Sequence, residues 1–540
     1  MNPIASRFSL LLLMVGVVLP GCMADRPPAA RPVVIAATGE PESVLPPLVV
    51  ETVGRDASDL VFERLADLAP GGAPLDPKAY RPRLAASWER VDSLTWRFHL
   101  ARDAHWSDGR PVTADDVIFS FSVFGDSILD APARPYLAGR VTAIAADSAT
   151  VLIQFAESYP EQLYDATYHV RILPRHIWAT MPREQWAADT TVERLVGSGP
   201  FRVTEWRRGQ FLRLTRLGVS GSGPQQATGE IRDIVWRFAA DPDAAVNLVL
   251  SHEADLMELA AAPRAVDRVA ADTSLTIERY PSSAYGFLGF NLTSRDRQGP
   301  HPVLDRSTRR ALAMAIDRAA LAAATFGPGA SAPPGPMSRL LWIWDDSIAT
   351  LPFDTAAAAR ALSDAGWTAG PGQIRRRRGE RLAFDILVPG TSTTRRQLAT
   401  AMQAAWRSVG AEASVTAVDF PVFQERLGRG AFDSYIGAWL DEPSARGLAD
   451  QWTRAGWNAI NYGHYASRSF DALFHRASAE PNPARARRLY REAMDTLNAD
   501  VPAIFLYTPS NAAAVSRRLD GVQVDPYSWV SGLPDWRMRR

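Results

Sequence analysis

Few side chains of this protein have the types and spacing that catalysis needs. The sequence contains no Gly-x-Ser-x-Gly motif, and His252 is followed by a glutamate but lacks the second histidine of a zinc-binding metalloprotease helix. Cys22 is the only cysteine, so neither a disulfide framework nor a cysteine-only metal cluster can form. The only lysine, Lys78, lies outside any phosphate-binding loop motif. These patterns predict no catalytic residue, no metal and no cofactor.

The composition indicates a large globular protein whose charge selects no partner. The chain has 540 residues, more than one hydrophobic core usually supports, and 46% of them are hydrophobic. Basic and acidic residues balance at 59 each, so no overall field attracts nucleic acid. The arginine run within Ile374–Glu380 predicts a solvated hairpin with a basic outer face. We expect two or more lobes, a monomer and no nucleic-acid partner.

The N-terminal segment predicts export and a lipid anchor. Arg7 precedes an apolar run, Phe8–Leu19, that suits the core of a signal peptide and is too short to span a bilayer. The run leads into Leu19-Pro20-Gly21-Cys22, which is similar to a bacterial lipobox although Pro20 departs from its usual pattern. We therefore expect a signal peptide at residues 1–21, a lipidated Cys22 and a tether at residues 22–32. The alternative, a plain secretory signal, also places the protein outside the cytoplasm, in the periplasm or on the cell surface.

Strand-like and helical patterns alternate along the rest of the chain. Val33–Ala36 predicts the first strand, and Trp96–Leu100 alternates as a half-buried strand. Thr113–Asp116 carries the capping pattern of a helix. Arg309–Ala324 and Asp354–Trp367 are rich in alanine and predict two more helices. Such alternation favours mixed α/β layers.

The most specific patterns are short motifs that follow one another in a fixed order. They are Leu84–Glu89, Thr95–Leu100, Trp106–Val117, Gly197–Phe201, Gly289–Asn291, Arg309–Asp317, Asn461–Tyr465, Phe470-Asp471 and Val501–Tyr507. In content and order they resemble the family-five extracellular solute-binding proteins, the oligopeptide, dipeptide and nickel binders of ABC importers. Large apolar members such as Trp88, Trp96, Phe98 and Trp106 are expected to pack in the core and to identify the family rather than the ligand.

The resemblance implies an α/β fold of the two-lobed, periplasmic-binding-protein-like type (type II). The first lobe would be large and discontinuous, made of residues 33–285 and 502–540, and residues 286–501 would form the second lobe. Crossings near Tyr285–Leu292 and Val501–Tyr507 would form the hinge. Ligand binding would close the lobes, because only the closed state lets both of them contact the ligand. The implied function is capture of a peptide or peptide-like solute and its delivery to ABC permease subunits in the membrane.

The resemblance also implies a ligand site between extended segments of the two lobes, where a peptide backbone pairs with the protein. The matching positions are Glu51, Thr52 and Val53 in the first lobe and Tyr435, Ile436 and Gly437 in the second. Trp457, Asn461 and Tyr465 would line the same cleft, since aromatic walls with a few polar groups are typical of small-molecule pockets. His464 lies beside them and is interpreted as a structural residue rather than a metal ligand.

One departure from the family pattern concerns the charge that holds the ligand. Peptide binders carry an amine-binding aspartate four residues before the proline that is Pro443 here, and Trp439 occupies that position. Asp441, or as a second choice Glu442, would supply the missing carboxylate. Alternatively, Trp439 stacks on an uncharged or cyclic ligand.

Two other functions remain open at the level of sequence. A sensor or envelope-assembly protein could use the same binding fold, and a gene neighbourhood with two permeases and two ATPases would favour import instead. A secreted hydrolase is the less favoured alternative. The nearest imitation of a nucleophile motif is Gly197-Ser198-Gly199, which is interpreted as a turn of the family fold.

Overall fold

The computed structural model describes residues 31–218, 230–259, 263–293 and 301–539. The predicted signal peptide, the predicted lipidation site Cys22 and most of the predicted tether lie outside the described residues. Within these four ranges, no helix combines the length and the apolar character that crossing a membrane requires. The remaining predictions concern the folded body, which consists of three larger sheets with helices packed around them.

A mixed seven-stranded sheet joins segments from the start, the middle and the end of the chain. Its strands, in spatial order, are Leu275–Pro281, Ser510–Ser516, Leu256–Glu258, Val33–Thr38, Asp233–Ala239, Phe211–Arg216 and Phe201–Arg207. The first strand of the chain, Val33–Thr38, pairs in parallel with both of its neighbours. Ile35 faces one hydrophobic core and Ala36 faces another, so both faces of this sheet are covered.

A five-stranded sheet is formed by residues from the second half of the chain. Its strands, in spatial order, are Glu412–Val418, Ala383–Pro389, Ser434–Leu440, Ala284–Phe290 and Ala503–Tyr507. Leu288 and Phe290 belong to the core on one face, whereas Tyr285 and Phe287 belong to the core on the other. The alternation follows from the period of two in a strand, and it explains why this segment is apolar throughout.

A four-stranded antiparallel sheet and three short two-stranded pairs complete the strands. The larger sheet has the order Ala85–Arg90, Thr95–Leu100, Thr150–Phe155 and Val141–Asp147. The short pairs are Ala66–Leu68 with Tyr80–Pro82, Arg376–Arg377 with Glu380–Arg381, and Leu519–Asp520 with Arg537–Met538. Trp96 and Phe98 are buried in the largest core, as the sequence predicted.

Helices pack against the faces of these sheets. They are Thr52–Val61, Ala114–Phe124, Arg134–Leu137, Gln162–Thr167, Arg175–Trp178, Pro242–Leu250, Pro263–Ala270, Arg306–Met314, Arg318–Phe326, Thr355–Asp364, Thr393–Ser408, Phe420–Arg429, Leu448–Trp452, Arg468–Ala479 and Pro483–Asp500. The capping pattern at Thr113 is confirmed, because the Thr113 backbone N–H donates to the Asp116 carboxylate at 2.9 Å. The single helix predicted over Arg309–Ala324 is wrong: Asp317 caps a second helix by accepting from Ala320 N at 2.9 Å.

The arginine-rich hairpin is confirmed, but two of the four arginines of its predicted basic outer face form contacts with the rest of the protein. The Arg375 guanidinium donates to Trp367 O at 2.8 Å. Arg377 pairs with the Asp305 carboxylate and lies 4.5 Å from the centre of the Trp367 ring. These two side chains stabilise the packing of neighbouring helices, and the hairpin presents correspondingly less free positive charge.

The chain passes between the seven-stranded and five-stranded sheets at two adjacent places. Ser282-Ser283 connects strand Leu275–Pro281 to strand Ala284–Phe290, and Thr508-Pro509 makes the return connection. The two crossings are hydrogen-bonded, since Ser282 N donates to Pro509 O at 3.2 Å. The sheets therefore change a few residues away from the predicted lobe limits at 285/286 and 501/502. The division into lobes stays a prediction.

Candidate ligand-binding site

A cavity of about 1480 Å³ lies between parts of the chain that belong to different sheets. Leu340, Glu442 and Pro443 line it from the segment that carries the five-stranded sheet. Tyr527 lines it from the C-terminal return, and most of the remaining wall comes from residues before 201. The volume exceeds the roughly 300–1,000 Å³ of ordinary small-molecule pockets. A ligand in this cavity would touch both halves of the molecule.

Much of the charge in the cavity wall is already neutralised by ion pairs within the wall. Arg171 donates to Asp59 from Nε at 2.6 Å, and Arg64 lies 3.2 Å from the same carboxylate. Burial acts to raise the pKa of Asp59, but the charges of Arg171 and Arg64 hold it below its usual value. Arg83 pairs with Asp67 at 2.6 Å. These pairs help to fix the shape of the wall, and five of its charged side chains are engaged in them.

Glu442 differs from these paired residues. Its side chain is exposed in the cavity lining, and within the described ranges no hydrogen bond or ion pair engages it. Burial, followed by the charge of Glu442, raises the pKa of Tyr168 to about 12. The same two causes act in Tyr136, whose pKa also rises. Glu442 thus lies close enough to Tyr168 and Tyr136 for its charge to act on both.

The first predicted ligand segment is only partly extended. Glu51 has extended dihedral angles, φ −91° and ψ 154°, but Thr52 and Val53 form the first turn of helix Thr52–Val61. The prediction of an extended strand is therefore wrong for these two residues. The helix forms because Ala57, Leu60 and Val61 fall on one buried face at helical spacing. Its opposite face turns Arg55 and Asp59, rather than the predicted residues, towards the cavity.

The second predicted segment lies inside the five-stranded sheet. Tyr435, Ile436 and Gly437 belong to strand Ser434–Leu440, which pairs with Ala284–Phe290 along its whole length. Pairing with the strand on the other side, Ala383–Pro389, reaches only Ser434 and Tyr435. The second half of the strand therefore has a sheet partner on one side only. Gly437 is required by packing, because a Cβ atom there would lie 2.8 Å from Phe287 Cζ.

The aromatic and acidic residues after this strand have different environments. Trp439 is half-buried and stacks on Tyr462, with ring centres 6.4 Å apart. Asp441 is 8% exposed, and its Oδ2 accepts a hydrogen bond from Ser338 N at 2.5 Å. Burial raises the pKa of Asp441 to about 7. The Asp441 carboxyl is thus enclosed and already bonded to the backbone, whereas the next residue, Glu442, is not.

The three remaining predicted residues are held by contacts within their own part of the protein. Asn461 is buried and donates from Nδ2 to Thr453 O at 2.8 Å and to Tyr465 O at 3.0 Å. Tyr465 is buried, and its hydroxyl donates to the Asp500 carboxylate at 2.9 Å. Trp457 donates from Nε1 to Tyr465 O at 2.8 Å. Their polar groups stabilise the loop that carries them.

Of the predicted ligand-contacting residues, the cavity lining described above includes only Glu442, the second choice for the amine-binding carboxylate. Several cavity residues, among them Arg55, Tyr168 and Tyr527, were not predicted. Arg55 and Asp59 share a helix face by their spacing of four, which the sequence could have indicated had a helix been expected there. Among the described residues, no group of three or more His, Cys, Asp or Glu side chains could hold a metal ion.

The turn Gly197-Ser198-Gly199, the nearest imitation of a nucleophile motif in the sequence, has a packing role. A Cβ atom on Gly197 would lie 1.9 Å from Val61 O, and one on Gly199 would lie 2.5 Å from Leu60 O. Only glycine therefore allows this turn to approach the end of helix Thr52–Val61. Ser198 is buried, and its Oγ accepts from Glu63 N at 3.3 Å. This environment encloses the hydroxyl instead of presenting it to a substrate.

Comparison with known proteins identifies the class of this fold and site. The family described as bacterial extracellular solute-binding proteins, family 5 (middle), matches residues 79–459. The chain belongs to this family of extracytoplasmic solute-binding proteins. The structure also resembles that of the oligopeptide-binding protein AppA from Bacillus subtilis in complex with a nonapeptide, with a TM-score of 0.72 and 20% identity over 94% of this chain and 99% of that one.

Two curated relatives cover most of the sequence. Protein XP55 of Streptomyces lividans is 27% identical over 497 residues, which are 92% of this chain and 86% of the relative. The dipeptide-binding protein of Escherichia coli (strain K12) is 24% identical over 534 residues, which are 92% of this chain and 93% of the relative. The predicted family and the two-lobed binding-protein type of fold are confirmed by these matches.

Proposed function

We propose that this protein is the substrate-binding component of an ABC importer and captures a peptide or peptide-like solute with a free amine. The observation that carries the proposal is the cavity of about 1480 Å³ in a chain of the solute-binding family. Its wall combines residues before 201 and the C-terminal return with Leu340, Glu442 and Pro443 from the segment that carries the five-stranded sheet. The relatives named for dipeptide and oligopeptide binding support a peptide as the ligand class. The protein releases its ligand chemically unchanged to the permease subunits.

The finer features of this function follow from the sequence. Cys22 anchors the chain to the membrane through lipid, residues 23–32 tether it, and the protein acts as a monomer outside the cytoplasm. The lobes meet at the crossings Ser282-Ser283 and Thr508-Pro509, a few residues from the predicted division into residues 33–285 with 502–540 and residues 286–501. The second half of strand Ser434–Leu440, paired on one side only, leaves backbone groups for a ligand chain near Gly437.

The ligand amine has two candidate partners in this protein. Asp441, the residue favoured by the sequence, has an enclosed carboxyl that accepts from Ser338 N. The exposed position of Glu442 in the cavity lining supports Glu442 instead. A carboxylate without a partner of its own is free to form a charge-assisted hydrogen bond with the ammonium group of the ligand.

Calorimetric titration with trialanine and with N-acetyl-trialanine tests this function. Trialanine should bind and should be recovered intact, and Glu442→Gln should weaken its binding by about tenfold or more, the effect of losing a charge-assisted hydrogen bond. Asp441→Asn is the matched control and should change affinity less. Equal binding of the acetylated peptide would refute the amine contact, and cleavage of either peptide would refute the absence of an enzyme activity. Native mass spectrometry of the purified protein would identify a retained ligand.

A further inference from the structure

A buried cluster of opposite charges joins two distant parts of the chain. Arg446 donates from Nε to the Glu161 carboxylate at 2.9 Å and from Nη2 to the Asp165 carboxylate at 2.5 Å. Ser444 also donates its hydroxyl proton to Glu161. The side chains of Glu161 and Asp165 are 3% and 2% exposed, and that of Arg446 is 22% exposed. Contacts of this burial and geometry are much stronger than surface ion pairs.

The two sides of the cluster belong to different hydrophobic cores. Leu163 and Tyr164, which lie between the two acidic residues in sequence, pack in the core of the four-stranded sheet. Ala445, which lies between Ser444 and Arg446, packs in a core of the five-stranded sheet. The cluster therefore connects two parts of the chain whose buried side chains pack in different cores.

The cluster also borders the cavity on both sides. Tyr168 and His169, which follow Asp165 by one turn of chain, line the cavity from the first part of the molecule. Glu442 and Pro443, which immediately precede Ser444, line it from the other part. Separating the charges would therefore move the two cavity walls apart.

We infer that Arg446, Glu161 and Asp165 form a latch that holds the two halves of the molecule closed over the cavity. Arg446 is thus a positioning residue for ligand retention. The inference rests on the proposed function only in assigning the ligand to this cavity. Separated charges regain their hydration, which offsets part of the lost attraction, so the latch biases an equilibrium between closed and open states and still allows release.

Small-angle X-ray scattering of the ligand-free full chain tests the latch without any knowledge of the ligand. Arg446→Gln should raise the radius of gyration above that of the wild type, because two buried carboxylates lose their counter-charge and favour the hydrated, open state. Asp165→Asn should act in the same direction. The matched control is Arg377→Gln, which breaks a pair with Asp305 within one half of the molecule and should leave the radius of gyration unchanged.

Stopped-flow dissociation of trialanine, followed by tryptophan fluorescence, supplies the second readout. Arg446→Gln should release the peptide at least about tenfold faster while changing its association rate less, since loss of a buried charge partner acts mainly on dissociation. In an Asp165→Asn background, the further effect of Arg446→Gln should be smaller, because the two residues act as a pair.

The two measurements separate failure of the latch from failure of the proposed function. A folded Arg446→Gln variant with wild-type scattering would overturn the latch, and so would equal effects of Arg446→Gln in the wild-type and Asp165→Asn backgrounds. If trialanine does not bind the wild type, the proposed ligand class fails, and the scattering result alone then decides for or against the latch.

Discussion

Asp441→Asn tests whether one enclosed carboxyl limits the stability of this protein at neutral pH. The Asp441 side chain is 8% exposed, and burial raises its pKa from 3.8 to about 7. A difference of about 3 pKa units, at about 1.4 kcal/mol for each, corresponds to about 4 kcal/mol between the protonated and ionised forms in the folded protein. Asparagine has nearly the same shape, stays neutral and can still accept from Ser338 N.

The wild type should therefore lose stability as the pH rises. Between about pH 4 and about pH 7, the folded state keeps a proton on Asp441 that the unfolded state has released, so the free energy of unfolding falls with increasing pH. The stability that the proton on Asp441 contributes is fully present below about pH 4 and is lost above about pH 7. The unfolding free energy of Asp441→Asn minus that of the wild type should therefore be about 4 kcal/mol larger at pH 8 than at pH 4.

Urea unfolding at pH 4, 5.5 and 8, followed by tryptophan fluorescence, measures this difference. Other buried acids, such as Glu258, contribute to the pH dependence of both proteins and cancel in the comparison. Asp520→Asn, at a side chain that is 63% exposed, is the control and should show no comparable trend. A constant difference between Asp441→Asn and the wild type at all three pH values would refute the assignment of a neutral carboxyl to Asp441.

Two substitutions test the packing that supports the site. Gly197→Ala should lower the free energy of unfolding, measured by urea titration, by about 3 kcal/mol, because the added Cβ would lie 1.9 Å from Val61 O. Gly447→Ala is the control and should leave the free energy of unfolding nearly unchanged, because the space around its Cβ is open. Arg309→Met should also cost about 3 kcal/mol, because the buried guanidinium donates to four main-chain carbonyls that would lose their partner. Arg310→Met, which removes a single longer hydrogen bond, is the control for Arg309→Met. A urea midpoint equal to that of the wild type for Gly197→Ala or for Arg309→Met would contradict the contacts described for that residue.

Local patterns predicted the fold well where one short segment holds the whole signal. The capping pattern at Thr113 needs only residues three apart, and it forms as expected. The helix break at Asp317 was missed because alanine on both sides of it favours helix, although the aspartate is itself a good N-cap residue. The first ligand segment was missed because its likeness to extended relatives outweighed the helical spacing of Ala57, Leu60 and Val61.

The site was harder to predict than the fold because it is assembled from residues far apart in sequence. Tyr168, Glu442 and Tyr527 meet at one cavity, and no periodicity in any single segment indicates that meeting. Whether a polar side chain faces a ligand or its own loop also depends on partners that sequence does not reveal. Asn461 shows this, because its amide bonds two carbonyls of the loop that carries it.

The position of strand Ser510–Ser516 has a consequence for how the protein is made. This strand lies between Leu256–Glu258 and Leu275–Pro281, so it separates two strands that are synthesised long before it. The seven-stranded sheet therefore cannot be completed until residues 510–516 have been synthesised, long after its other six strands. Until then, strand Leu275–Pro281 has no partner in this sheet, and strand Leu256–Glu258 has only one.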